Sequence, residues 1–338
     1  MLILQNFIIF YIIVTVYSQT PAKPLTTGYN QDLAKKLLRL SAGAYSTDPT
    51  PCIKEAFNDN GNYEIFNNQT TICDKGGNVC TYYTIVSNQT KEIIIVFRGT
   101  KTNDQLLREA VASLLDGVDF KGIGLVNRYF LKAHNVLWDY ISEVFKVDEY
   151  KTYKLSVTGH SLGGALAALC AIRVQMEGYR ESNNITLYTF GEPRVGSASF
   201  AFKFDDLVPH SWRVVHALDI VPHLPGCAKP SGSSLLQVYF GKTSQPCDPT
   251  ALDEPYHHGT EIWYPEGMGE NDIFYECTGT PKNEDFDCSD QYKLPPKNLN
   301  TYINEHRHYF DHKVPAFGKL GCSPGLEEEE ETLSDDAE

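Results

Sequence analysis

Near the middle of the chain, Gly159-His160-Ser161-Leu162-Gly163 sets one serine between two glycines. A serine hydroxyl is a weak nucleophile until a base takes its proton and a carboxylate orients that base. The flanks show what holds the hydroxyl. Leu155 and Val157 alternate with polar residues, as at the end of a strand, and Ala165, Leu166, Ala167, Ala168 and Leu169 favour helix. A strand that becomes a helix in so few residues needs a sharp bend at strained φ/ψ, and glycines two before and two after the serine remove Cβ atoms that would collide. This is the G-x-S-x-G corner in its required strand-turn-helix setting. The plainer alternative is a glycine-rich turn with an incidental serine.

Partners for that serine are sought downstream, since in one established chain order the acid follows the nucleophile and the histidine comes last. Asp219 closes the strand pattern "WRVVHALD", at the carboxyl end where open sheets gather catalytic groups. Asp205 and Asp206 precede that strand and read as surface loop. For the base, His210, His216, His223, His257, His258, His306, His308 and His312 all follow Ser161, and composition does not choose among them. A metal site from His306, His308 and His312 would lack an acidic partner at ligand spacing. No metal or cofactor is called for.

The elements that must position these residues follow from periodicity. "QDLAKKLLRLSAGAYS" carries Leu33, Leu37, Leu40 and Ala44 on one helical face. Residues 82–97 read as two strands, the second, "EIIIVF", apolar enough to be buried on both faces. A long amphipathic pattern covers 127–147, and "ITLYTF" and "WRVVHAL" are further strands. Beyond Asp219 come "LLQVYF", "EIWYP" and "DIFYEC", short strand candidates among proline, glycine and cysteine. The expectation is an α/β fold: a mostly parallel central sheet flanked by helices, with a disulfide-rich, strand-containing insertion late in the chain.

The chain has 338 residues, enough for a sizeable core. Residues 1–18 are an apolar run ending near a small residue, too short for a membrane span and read as a signal peptide, with a retained anchor as runner-up. A single domain is expected over 19–322 and an acidic tail over 323–338, and no later stretch in the mature chain is long and apolar enough to be transmembrane. Nine cysteines and three sequons, at Asn68, Asn88 and Asn184, suit an oxidising secretory route and a secreted protein. Cys73 with Cys80 and Cys277 with Cys288 would close short loops; Cys227 with Cys247 and Cys52 with Cys322 are chosen among many open pairings, leaving Cys170 free. The formal charge is −14, much of it in the tail, and no basic stripe offers nucleic acid a footprint.

Five blocks in order resemble the class 3 lipase family, the secreted fungal-type triacylglycerol lipases with the α/β-hydrolase fold: Phe97-Arg98-Gly99-Thr100; Thr158 to Ala167; Thr189-Phe190-Gly191-Glu192-Pro193-Arg194-Val195-Gly196; Asp219-Ile220-Val221-Pro222-His223-Leu224-Pro225; and His306-Arg307-His308-Tyr309-Phe310. They span about 30–322, with 226–300 unaligned. The resemblance implies Ser161 as nucleophile, Asp219 as acid and His306, three residues before a Tyr-Phe pair, as base, with His308 its rival by proximity. It implies oxyanion donors at Leu162, the residue after the nucleophile, and at Thr100, whose plainer reading is a cap or turn residue. Thr102 and Gln105 form a capping-box pattern, Leu106, Leu107, Ala110, Val111, Leu114 and Leu115 share a helical face, and Gly117 can end the helix. That helix is a lid in the family and a core helix by default. Asn127-Arg128-Tyr129-Phe130 departs from a His-x-Gly-Phe block common in the family. The expected function is that of a secreted serine ester hydrolase, a triacylglycerol lipase that cleaves long-chain acylglycerols at a lipid–water interface through a Ser-His-Asp triad and an acyl-enzyme. Phospholipase A1 or feruloyl-type esterase is the alternative on the same fold, and a catalytically inactive secreted binding protein the alternative of another class.

Overall fold

A computed structural model of the chain describes residues 27–58, 60–100, 117–230 and 244–323. The expected signal segment, the candidate lid helix, the "LLQVYF" strand candidate and nearly all of the acidic tail lie outside the described residues.

The strands are β1 Tyr63–Ile72, β2 Val79–Ser87, β3 Glu92–Phe97, β4 Gly117–Asp119, β5 Leu125–Asn127, β6 Lys154–His160, β7 Ile185–Phe190, β8 Gly196–Ser197, β9 Ser211–His216, β10 Pro255–Tyr256, β11 Thr260–Tyr264, β12 Tyr275–Cys277, β13 His308–Tyr309 and β14 His312–Lys313. The α-helices are α1 Gln31–Gly43, α2 Thr50–Phe57, α3 Arg128–Ile141, α4 Leu162–Met176, α5 Ala198–Leu207, α6 Leu299–Arg307 and α7 Val314–Lys319. Among the described residues, eight strands form the central sheet in the order β1-β2-β3-β6-β7-β9-β11-β12. Its middle five, β3 to β11, run parallel, while β1 and β2 on one side and β12 on the other pair antiparallel. Four short strands, β10-β8-β5-β4, make a second sheet, and β13 pairs with β14.

The apolar run in β3 shows why the sheet is central. Ile93, Ile95 and Phe97 enter one core with Leu155 and Val157 of β6 and most of α4, while Ile94 and Val96 enter a second core with α1, α7 and Tyr188. Successive side chains of a strand point to opposite faces, so a strand covered on both sides is apolar at every position. α4 has little polar face, since eleven of its residues are buried between the sheet and α3. Cys52–Cys322 ties α2 to the end of the described chain across 270 residues, which stabilises by up to about 5 kcal/mol on chain-entropy reasoning.

The architecture agrees with the expected α/β class, and the other disulfides are the expected pairs, Cys73–Cys80, Cys227–Cys247 and Cys277–Cys288, with Cys170 buried and free. Several details differ. β1 has no counterpart among the expected strands; its residues are half-buried or exposed, so it has little apolar signature. Asp205 and Asp206 belong to α5 rather than to a loop, and Asp205 accepts the N–H of Gly259 at 2.7 Å. The pattern over 127–147 resolves into α3 followed by a short 3-10 turn, Ser142–Lys146. Only Tyr275–Cys277 of "DIFYEC" is strand, and Gly117 opens β4. No helix among the described residues is long and apolar enough to cross a membrane.

Candidate active site

Ser161 stands between β6 and α4 with φ 60° and ψ −131°, in the left-handed half of the map that L-residues avoid. Such a strained corner persists only where its surroundings over-determine it. A Cβ on Gly159 would collide with the Gly163 carbonyl, and one on Gly163 with the Phe97 carbonyl, so both glycines are steric requirements of the turn. The neighbouring strand β7 holds the corner from the side: the Ser161 N–H donates to the Phe190 carbonyl at 2.8 Å.

Asp219 lies in the turn after β9 and is fully buried. Its Oδ2 accepts His306 Nδ1–H at 2.9 Å and the Tyr309 hydroxyl at 2.6 Å, and its Oδ1 accepts the Val221 N–H at 2.8 Å. Burial alone would raise its pKa. The charge of His306 and the hydrogen bonds from His306, Tyr309 and Val221 outweigh burial and hold the carboxyl below its usual range. An ionised carboxylate only accepts, so Nδ1 of His306 carries the proton in the neutral ring and Nε2 is left as the acceptor. His306 sits in the last turn of α6, buried, and its Nε2 has no hydrogen-bond partner among the described residues.

His306 is tied to the serine corner by His160, the residue before Ser161. The His160 ring stacks on that of His306 at 4.7 Å, and its Nε2–H donates to the His306 carbonyl at 2.8 Å. Because that carbonyl only accepts, Nδ1 of His160 must accept the Tyr45 hydroxyl at 2.8 Å. Tyr45 in turn accepts the Gly99 N–H. Burial, with His306 adding to it, pushes His160 down to about 3, so the ring is neutral at ordinary pH. Gly191, with φ +59°, is the other close approach: a Cβ there would stand 2.6 Å from Asp219 Oδ2 and 2.7 Å from His306 Nδ1.

The other candidate residues lie as follows. Leu162 opens α4, where first-turn N–H groups lack intrahelical partners. Thr100 follows Gly99, whose Cβ position would be 3.1 Å from that of Ser161. His308 is bonded to the Asn304 carbonyl, and His312 stacks on Phe317. His223 pairs with Asp290, and His257 and His258 bond the Pro222 carbonyl and Glu192. Asn127, at the start of the departing block, caps α3 by accepting the Phe130 N–H at 3.0 Å. Tyr309, Gly191, His160 and Tyr45 carry no task in the sequence reading. Three of them lie inside the quoted blocks, so the signal is proximity in sequence to the chemistry, with no pattern to assign a role.

The profile of the family described as lipase (class 3) matches residues 94–229. The chain is 46% identical over 309 residues to lipase ZK262.3 of Caenorhabditis elegans, covering 90% of this chain and 85% of that protein. It is 31% identical over 231 residues to a lipase of Rhizopus niveus, covering 68% of this chain but only 50% of that protein. Among solved structures, the Rhizomucor miehei lipase propeptide complex superposes with a TM-score of 0.62 at 26% identity, covering 84% of this chain and 81% of the other. The chain belongs to the class 3 lipase family and is a carboxylic ester hydrolase.

Proposed function

We propose that the protein is a secreted lipase that cleaves long-chain acylglycerols through an acyl-enzyme on Ser161. The observation that carries this reading is the buried Asp219–His306 hydrogen bond, with Nε2 of His306 unpartnered among the described residues and its ring stacked on the residue before Ser161. Nε2 takes the hydroxyl proton as Oγ bonds to the ester carbonyl carbon. The carbonyl oxygen becomes an oxyanion, met by the N–H of Leu162 and by Thr100; one such donor is worth about 3 kcal/mol. The imidazolium, steadied by Asp219, returns its proton to the departing alcohol. Water then repeats the sequence and frees the fatty acid. The amphipathic sequence after Thr100 is read as the cover of the site, which turns its apolar face to lipid at an interface. Four disulfides in the described chain favour an oxidising compartment.

The test is a panel of emulsified tri- and diacylglycerols, phospholipids and soluble short esters, with Ser161→Ala as control. The reading expects the highest rate on long-chain acylglycerols and a jump in rate once substrate exceeds its solubility. A preference for phospholipid, or for soluble aromatic esters with no such jump, contradicts it.

A further inference from the structure

Three Asn-X-Thr sequences play no part in the site: Asn68-Gln69-Thr70, Asn88-Gln89-Thr90 and Asn184-Ile185-Thr186. None has proline in the middle, and all three asparagines are exposed. Their positions in the sheet are not scattered. Asn88 lies in the turn that leads into β3, and Asn184 immediately precedes β7. β3, β6 and β7 run parallel, with Glu92 opposite Lys154 and Leu155 opposite Ile185. Both asparagines therefore mark the amino ends of strands in a layer whose carboxyl ends lead to Thr100 and Ser161. A strand of this length puts roughly 20 Å between the two poles.

Asn68 is placed differently, on β1 at the edge of the sheet, opposite Tyr83. Ile65 and Ile72 on the same strand are 37% and 63% exposed, and Val79 of β2 is 43% exposed. An open strand edge with apolar side chains is a template for pairing with another chain unless something covers it. At Asn88 the carboxamide is already oriented: its Oδ1 accepts the Tyr153 hydroxyl at 2.8 Å.

We propose that Asn68, Asn88 and Asn184 carry N-linked glycans, two at the amino pole and one on the β1 edge, leaving the carboxyl end of the sheet bare for the ester. The inference rests on the secretory reading above. The donor is a lipid-linked oligosaccharide pyrophosphate. The carboxamide nitrogen bonds to the anomeric carbon of the sugar and gives up one proton, the bond from that carbon to the pyrophosphate oxygen breaks, and the lipid pyrophosphate leaves; nothing is oxidised or reduced. The sugar on Asn68 covers the exposed edge, and those on Asn88 and Asn184 keep the amino pole in water while the opposite pole meets lipid.

The test is translation of the full chain in the presence of microsomes, followed by protease protection, peptide-N-glycosidase treatment and peptide mapping. The wild type should lose three glycans, each of Asn68→Gln, Asn88→Gln and Asn184→Gln should lose two, and the enzyme should leave aspartate at each site. Secreted Asn88→Gln and Asn184→Gln should hydrolyse a soluble ester like wild type, and Asn68→Gln should self-associate more strongly in light scattering. Chain that is protected inside the vesicles yet bears no sugar at these asparagines overturns the glycan assignment alone. Chain left outside the vesicles overturns the secretory reading and the assignment with it.

Discussion

Around Asp219, three donors meet one carboxylate while His306 keeps a ring nitrogen unspent. Around Arg194, a second buried ionic cluster is built to the opposite end. Glu284 grips the guanidinium through Nε and Nη2, both at 2.7 Å, with Asp290 at 3.4 Å and the Pro225 carbonyl at 3.0 Å. Glu284 also accepts the backbone N–H of His257, and Asp290 pairs with His223 at 3.0 Å. Against the cost of burial, Arg194 and then His223 hold the carboxyl of Asp290 well below its usual range. The second cluster fastens the late insertion, with its Cys227–Cys247 and Cys277–Cys288 bridges, to the sheet. A saturated cluster fixes position, and an unsaturated one leaves a group free to move a proton.

That contrast can be broken at either cluster. Ser161→Ala or His306→Ala should cut kcat on the order of a million-fold, measured on a soluble ester, and Ser161→Ala should leave the melting temperature unchanged in calorimetry. Asp219→Asn should cost about 10⁴-fold, since the amide no longer holds the ring in the right tautomer. Arg194→Met should do the reverse. It strands Glu284 and Asp290 as buried charges and should lower stability by about 3–5 kcal/mol in urea titrations, with kcat per folded molecule retained. A large kcat loss in folded Arg194→Met would erase the distinction between the clusters. Tyr309→Phe removes one donor to Asp219 and should cost about 1–3 kcal/mol of transition-state stabilisation, read in kcat/KM.

The comparison also sharpens through pH. His134 and His160 are pushed down to about 3, by burial first, and burial holds His257 well below its usual range. Their folded pKa values are depressed, so the unfolded chain binds their protons first as pH falls through about 6.5. Each histidine therefore removes about 1.4 kcal/mol of stability per pH unit below that point. Melting temperature should fall from near pH 6 downward, and Asp219 adds its own loss only at more acid pH, as its carboxyl protonates. A melting temperature flat down to pH 4 contradicts this.

How much the sequence discloses depends on how local the cause is. The Ser161 corner is legible because Gly159 and Gly163 act within five residues, and β3 because a doubly covered strand must be apolar throughout. The Asp219–His306 pair spans 87 residues and the Tyr45–His160 bond 115, distances over which no periodicity speaks; resemblance alone connects the first pair, and nothing connects the second. β1 escapes because an edge strand whose residues are all half-buried or exposed has no apolar face to detect. α5 does carry a signal, Ser197 capping it and Phe200 and Phe204 one turn apart, but the two aspartates at its end look like loop.

The most direct measurement is the intact mass and peptide map of the protein after exposure to an alkyl fluorophosphonate. The account predicts a single adduct on Ser161, absent in Ser161→Ala and strongly slowed in His306→Ala. A folded wild-type protein that stays unlabelled, or that carries the adduct on another residue, would contradict it.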